Sequence, residues 1–250
     1  MSGVEWEIRW FDQVDSTNAY VREQARFGAP EGLVAVADHQ TEGRGRLGRR
    51  WESPPGANLL ASVLLRPNID PADLHLCTTV VALAAMDACR VVAGVGTLLK
   101  WPNDLLVDGA KVAGILAEAE FAGADLAAVV VGIGINVGWP GPPEAGGTSL
   151  EAATGSPVDR RVLLHALLAA LSERRAGLEA AAGRRALADE GRRRCATLGQ
   201  QVRVTLEGEE ITGRAVAVDD AGHLVVETPT GSRRLTAGDV VHLRAADQDQ

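Results

Sequence analysis

Two stretches of the chain are apolar at almost every position, LVAVAD at 33–38 and NLLASVLLRP at 58–67, and both have the length of a strand buried on two faces. Ahead of them EIRWFDQV reads as extended, and Asp15 or Ser16 then supplies the N-cap of a helix ending near Gly28. DPADLHLCTTVVALAAMDACRVVAG predicts a long helix, apolar over most of its circumference, that packs on a sheet. TLLKWPNDLLVDGAKVAGILAEAEF and LAAVVVGIGINVG predict three short strands with turns at PND and DGA. Strands spaced so closely pair as antiparallel hairpins rather than through crossovers. A Pro/Gly loop, WPGPPEAGGTSL, leads to two Ala/Leu/Arg-rich helices between Pro157 and Arg194, interrupted at Gly177 and Gly183. From about Thr197 the period shortens: QVRVTLEG, EITGRAVAVDD, HLVVETPTG, SRRLTAG and DVVHLR are short strands of small β-barrel character. The expected division is an α+β unit over 1–196, with a mixed or antiparallel sheet and packed helices, and a small barrel over 197–250 ending in a frayed tail, ADQDQ.

Composition supports this picture and narrows the function. With 250 residues, 46% of them hydrophobic, the chain can bury a sizeable core. No apolar run approaches the roughly 20 residues of a bilayer span, and the start lacks the charged-then-apolar pattern of a signal peptide, so a cytoplasmic location without membrane contact is expected. Cys77, Cys89 and Cys195 are odd in number and widely separated, which suggests three buried thiols rather than disulfides or a zinc site. A net charge of −8 argues against general attraction to DNA or RNA, so any anion site must be local. Of the 25 basic residues only Lys100 and Lys111 are lysines. Where lysine is kept in so arginine-rich a chain, a compact point charge is wanted rather than a planar fork.

The local anion site is sought first in TEGRGRLGRRW, residues 41–51. Gly43, Gly45 and Gly48 have the GxGxxG spacing of a dinucleotide-binding turn, which requires a helix to open within the glycines and an acidic residue about 20 positions on. Pro54, Pro55 and Gly56 forbid that helix, and no acid stands near position 65. No Gly-Lys-Ser/Thr, GxSxG, HExxH or clustered His/Cys set occurs either. What remains is a loop of four mutually repelling guanidinium groups on a glycine-rich backbone that is costly to order. It reads either as a plain exposed basic loop or as a lid that orders over a phosphate-bearing ligand, whose charge would supply the missing hydrogen-bond acceptors. Lys100, at the end of the apolar TLL and before Trp101, Pro102, Asn103 and Asp104, is a solvated strand-end lysine or a cation placed to neutralise a carboxylate and a phosphate together. Gly114, within KVAGILAE, marks a bulge or a close backbone approach by a ligand. Asn136, ending GIGIN, either reads an adenine edge or belongs to a turn.

Taken in order, DSTN (15–18), GRGRLGRRW (43–51), KWPNDLL (100–106), KVAGILAE (111–118) and GIGINV (132–137) closely resemble the biotin protein ligase family, and CATLGQQVRV with GDVVHLR resembles that family's small C-terminal barrel. The resemblance implies a class II aminoacyl-tRNA synthetase-like catalytic domain with an SH3-like barrel. It implies two half-reactions: biotin and Mg-ATP give biotinyl-5′-adenylate, and a lysine of a biotin carboxyl carrier protein then takes the biotin. ATP and biotin are substrates, Mg2+ arrives with ATP, and no protein ligand for the metal is assigned. Lys100 and Arg46 are the implied catalytic residues. Ser16, Thr17, Asn18, Gln40, Arg44, Gly45, Arg46, Lys100 and Gly114 line the implied biotin site, and Arg46, Arg49, Trp51, Lys100, Asn103 and Asn136 the ATP site. Asn103 or Asp104 would orient Lys100 or the metal. The DSTN motif begins too early for a preceding DNA-binding module, so the expectation is a ligase without DNA as partner, and family sheets can pair side by side as a homodimer. A lipoate ligase shares the fold but is not expected to carry GRGRxGRxW, and a non-catalytic biotin sensor would need neither the lysine nor the lid.

Overall fold

A computed structural model describes residues 4–206 and 208–243; the expected tail ADQDQ lies outside them. Seven strands form one mixed sheet: β1 (Glu7–Val14), β2 (Leu33–Gln40), β3 (Leu59–Leu65), β4 (Leu98–Lys100), β5 (Asp104–Val107), β6 (Ala110–Ala122) and β7 (Asp125–Ile135), in the order β1-β2-β3-β7-β6-β5-β4. β1 and β2 are parallel because helix α1 (Thr17–Arg26) crosses between them, and the remaining pairs are antiparallel. The segment expected to give three short strands therefore gives four, two of them long. GIGIN continues β7 because its glycines pair in register rather than turn.

Alternation along β7 assigns the two faces. Val129, Val131, Ile133 and Ile135 enter the main core beneath helices α2 (His75–Ala93), α4 (Arg160–Arg175) and α5 (Ala181–Arg193), and a short α3 (Leu150–Thr154) precedes the last two. Ala128 and Val130 face the other way, under α1, with Leu33, Ala35 and Leu64. Further along that second face positions 132 and 134 are glycine, so no side chain fills the space and a cavity opens. By length and composition the Pro71–Ala93 segment could cross a membrane, yet its apolar surface is mostly buried between the sheet and α4 and α5. Gly183 lies inside α5 rather than breaking it, and the reason is packing: a Cβ there would collide with the backbone of Gly177. Cys77 and Cys89 are buried, and burial pushes both thiols up to about 12, whereas Cys195 is only half-buried.

β8 (Gln201–Leu206), β9 (Glu209–Val218), β10 (Leu224–Thr228), β11 (Gly231–Leu235) and β12 (Asp239–His242) form a separate antiparallel sheet, in the order β11-β10-β9-β8-β12. Its core takes one residue from the first unit. Trp101 is 5% exposed among Val202, Val204, Ile211, Leu224, Val226 and Val240, donates Nε1–H to Gly222 O at 2.9 Å, and has its own N–H held by Thr197 Oγ1 at 3.0 Å. Trp101→Ala is expected to cost about 3–5 kcal/mol, the range for emptying an aromatic core position. Calorimetry should show an earlier, broader transition, and a melting temperature within about 2 °C of the parent would contradict this placement.

Candidate active site

The cavity opened by the glycines has a volume of about 430 Å3 and lies between the sheet, residues 43–51 and the edge of the C-terminal module. Its floor is a set of paired glycines: Gly134 stands in register with Gly114 on β6 and Leu60 on β3, and Gly132 with Leu116 and Ser62. A Cβ on Gly132 would strike the Asn18 amide, and one on Gly134 or Gly114 the indole of Trp51. Side chains from two separate parts of the chain, Asn18 and Trp51, thus rest directly on backbone.

One end of the cavity is neutral and polar. Ser16 caps α1 by accepting from Ala19 N–H at 3.4 Å, which sets Thr17 and Asn18 at the start of the helix, all three buried. Thr17 donates its N–H and hydroxyl to Gln40 Oε1 at 2.8 and 2.9 Å, and Asn18 donates Nδ2–H to Leu116 O and Glu118 Oε2. The residues read from DSTN and Gln40 are therefore brought together.

The other end is cationic. Residues 43–51 fold back as a narrow hairpin, with Gly45 N–H donating to Arg49 O at 2.7 Å, Trp51 N–H to Gly43 O at 2.9 Å, and a tight turn in which Leu47 takes a positive φ of 56°. Arg44 and Arg50 stand opposite each other across this hairpin, and three of the four arginines take separate partners. Arg46 donates to Asn103 Oδ1 at 3.3 Å, Arg49 pairs with Asp239 of the C-terminal module at 2.9 Å, Arg50 donates to Thr41 O, and Arg44 is exposed at the cavity rim. Lys111 pairs with Asp104 at 2.7 Å and sits 5.4 Å from the centre of the Trp51 ring, so the ammonium lies over the glycine floor. Lys100 lines the same cavity and, among the described residues, makes no ion pair. Burial lowers Lys100 from the ordinary lysine value while Asp104 and Asp239 oppose it, and burial likewise lowers Arg46. Both cations are thus short of negative charge, a deficit that an anionic ligand would relieve.

The residues of KWPND go four ways: Lys100 to the cavity, Trp101 to the C-terminal core, Asn103 to Arg46 and Ile115 O, and Asp104 to Lys111. Asn136 lines the cavity and is hydrogen-bonded within the protein. Both protons of its amide are given to Pro140 O and Thr148 O at 3.0 Å, and its Oδ1 accepts from Asn58. It ties both ends of the 140–148 segment to the end of β7. Gly114 lines the cavity and is approached closely by Trp51 and Lys111.

Residues 10–136 match the Biotin/lipoate A/B protein ligase family and residues 197–243 the biotin protein ligase C-terminal domain. The chain belongs to the biotin/lipoate A/B protein ligase family. Among relatives, it is 36% identical over 238 residues to the biotin--[acetyl-CoA-carboxylase] ligase of Mycobacterium tuberculosis, covering 93% of this chain and 87% of that protein. It is 34% identical over 235 residues to the bifunctional ligase/repressor BirA of Bacillus spizizenii, covering 92% and 72%. Among solved structures, the biotin protein ligase from Aquifex aeolicus in complex with biotin and ATP shares the fold with a TM-score of 0.79 and 30% identity, over 96% of this chain and 99% of that one. The α+β fold and ligase family read from the motifs hold. Residues of this ligase that line or support the cavity without having been assigned to it from the sequence include Lys111, Asp239, Gly132, Gly134 and Ser62. Lysine's rarity pointed to Lys111. Asp239 comes from a different module, and Ser62 is hidden in an apolar strand, so neither gave a signal.

Proposed function

We propose that this chain is an ATP-dependent biotin protein ligase that joins biotin to ATP as biotinyl-5′-AMP, releasing pyrophosphate, and transfers biotin to a lysine of a biotin carboxyl carrier protein. One observation carries the reading: a neutral hydrogen-bonding end, from Ser16 to Asn18 and Gln40, and a cationic end, from Arg46, Lys100 and Lys111, face a single cavity. Biotin has that polarity, with a cyclic urea at one end and a carboxylate at the other. Its carboxylate attacks an α-phosphate, so two anions approach, and fixed cations are the main stabilising factor. Lys100 and Lys111 flank that point, Arg44 and Arg46 close over it, and Arg49 and Trp51 hold the nucleotide side. Mg2+ supplies further charge neutralisation with the triphosphate. Asp104 and Asp239 are already paired with Lys111 and Arg49, which fits a metal carried in by ATP rather than held by the protein. The acceptor follows the carboxylase relatives, a biotin carboxyl carrier protein.

A lipoyl group would bring a dithiolane to the polar end, with no N–H or C=O to match it. Incubation with ATP and either acid should therefore release pyrophosphate with biotin and not with lipoate, and the reverse outcome would make this a lipoate ligase. Gly132→Ala drives a Cβ into the Asn18 amide and is expected to raise the KM for biotin by at least about 10-fold with little change in the KM for ATP. Equal effects on both substrates would remove Asn18 from the biotin end.

A further inference from the structure

Strand β3, LLASVLL, is buried at every position, and its one polar residue, Ser62, is 0% exposed. A hydroxyl so far from water is costly unless paired, and Ser62 is paired on one side only, toward the cavity's neutral end. Its Oγ donates to Thr17 Oγ1 at 2.7 Å and Asn18 Oδ1 at 2.6 Å, one proton shared between two acceptors. On the far side of Asn18, Glu118 accepts from Nδ2 at 2.8 Å with one carboxylate oxygen and from Arg22 at 2.7 Å with the other.

Following the protons fixes the direction of both amides. A backbone N–H can only donate, so the bond from Thr17 N to Gln40 Oε1 turns the Gln40 oxygen inward and leaves its NH2 to offer. A backbone carbonyl and a carboxylate accept from an amide, so Leu116 O and Glu118 claim the Asn18 nitrogen. Ser62 claims one lone pair of Asn18 Oδ1 from below, against the Gly132 backbone. What Asn18 has left for a ligand is an acceptor, and what Gln40 has left is a donor. A cyclic urea carries the complement, a C=O between two N–H groups.

We propose that Ser62 and Glu118 are positioning residues for biotin selection, locking the Asn18 amide so that the pocket demands a urea N–H. The proposal rests on reading this cavity as the biotin site. If either lock is lost, the amide keeps only part of its bracket, Leu116 O with Glu118 or Leu116 O with Ser62, and is held less firmly with Oδ1 toward the ligand's N–H. The loss falls on selectivity for the urea rather than on the chemical step.

The test measures pyrophosphate release by the full chain with biotin and with its two cyclic carbamates, in which one ring N–H or the other is replaced by oxygen. The parent protein should use the carbamate lacking the N–H that meets Asn18 at least about 100-fold less efficiently than biotin, as expected where a site is built to pair with that group. Ser62→Ala and Glu118→Leu should each raise the KM for biotin about 10-fold, leave the KM for ATP unchanged, and narrow the biotin-to-carbamate ratio to about 5-fold or less. Glu118→Gln keeps an oxygen for Asn18 Nδ2 and should preserve most of the ratio. Should Ser62→Ala not fold, Glu118→Leu, at a side chain 23% exposed, reads the same ratio. A ratio that survives both substitutions, or a parent protein indifferent to the carbamates, overturns the proposal. Failure of the biotin reading is separate: the parent protein then releases no pyrophosphate with biotin itself, and the proposal falls with it.

Discussion

Lys111→Ala is expected to lower biotin-dependent ATP–pyrophosphate exchange by about 10²–10³-fold, the usual effect of removing one fixed charge-stabilising donor, and Lys100→Ala to lower it by at least as much. Lys111 is held from three sides: Asp104 at 2.7 Å, the Trp51 ring, and the bare backbone of Gly114. Its side chain is 35% exposed, so these contacts rather than full burial hold it at the cavity. Lys100 lies toward Asp239 and His242, whose imidazole is lowered first by burial and then by this lysine. Both lysines sit on strands of the same sheet and line the cavity. Arginine at either position tests the point-charge argument; at position 111 a planar guanidinium would fork onto Asp104 and stack on the Trp51 indole rather than present a compact ammonium to the cavity. Lys111→Arg should remain at least about 10-fold impaired. Unchanged circular dichroism with lost exchange would place both residues in the chemistry, whereas near-normal exchange in either alanine variant removes that lysine from it.

Legibility in the sequence followed the physics of each element. α2 and the strands LVAVAD and LLASVLL were plain because a buried element must be apolar at nearly every position. The exclusion of a helix after GRGRLG also held: residues 49–58 form no helix, and Pro54–Ala57 closes as a turn in which Ala57 N–H donates to Pro54 O. GIGIN was harder, since alternating Gly and Ile resembles a turn until the partner strands are known. Its glycines are where they are because Asn18 and Trp51, both distant in sequence, need the room. KWPND shows a different limit. Motif spacing says that five residues matter together, but only the fold reveals that Trp101 serves the C-terminal core while its neighbours serve the cavity. Asp239, which pairs with Arg49, could not be foreseen, because no periodicity links two modules.

Arg46→Gly should turn a selective transfer into a leak. Arg46 is half-buried, lines both the main cavity and the adjoining cleft beside α2 and α5, and holds Asn103 at 3.3 Å, while Asn103 in turn holds Ile115 O at 2.6 Å. The side chain is therefore part of the wall between the two spaces as well as a cation facing the cavity. A mixed anhydride survives only where water is excluded, and it stays selective only where its release is slower than its transfer. Removing Arg46 opens the wall, takes away a cation that would grip the adenylate, and adds a glycine to a hairpin that already holds three. With ATP and biotin supplied, this variant should attach biotin to an unrelated lysine-rich protein at a rate at least about 10-fold above the parent, since even 1.4 kcal/mol of lost grip speeds release tenfold. Arg49→Ala, which breaks the pair with Asp239 but leaves the wall intact, should leak less. Containment by the lid would be refuted if Arg46→Gly still formed adenylate while labelling remained confined to the carrier, because the intermediate would then be held without the residue that closes over it.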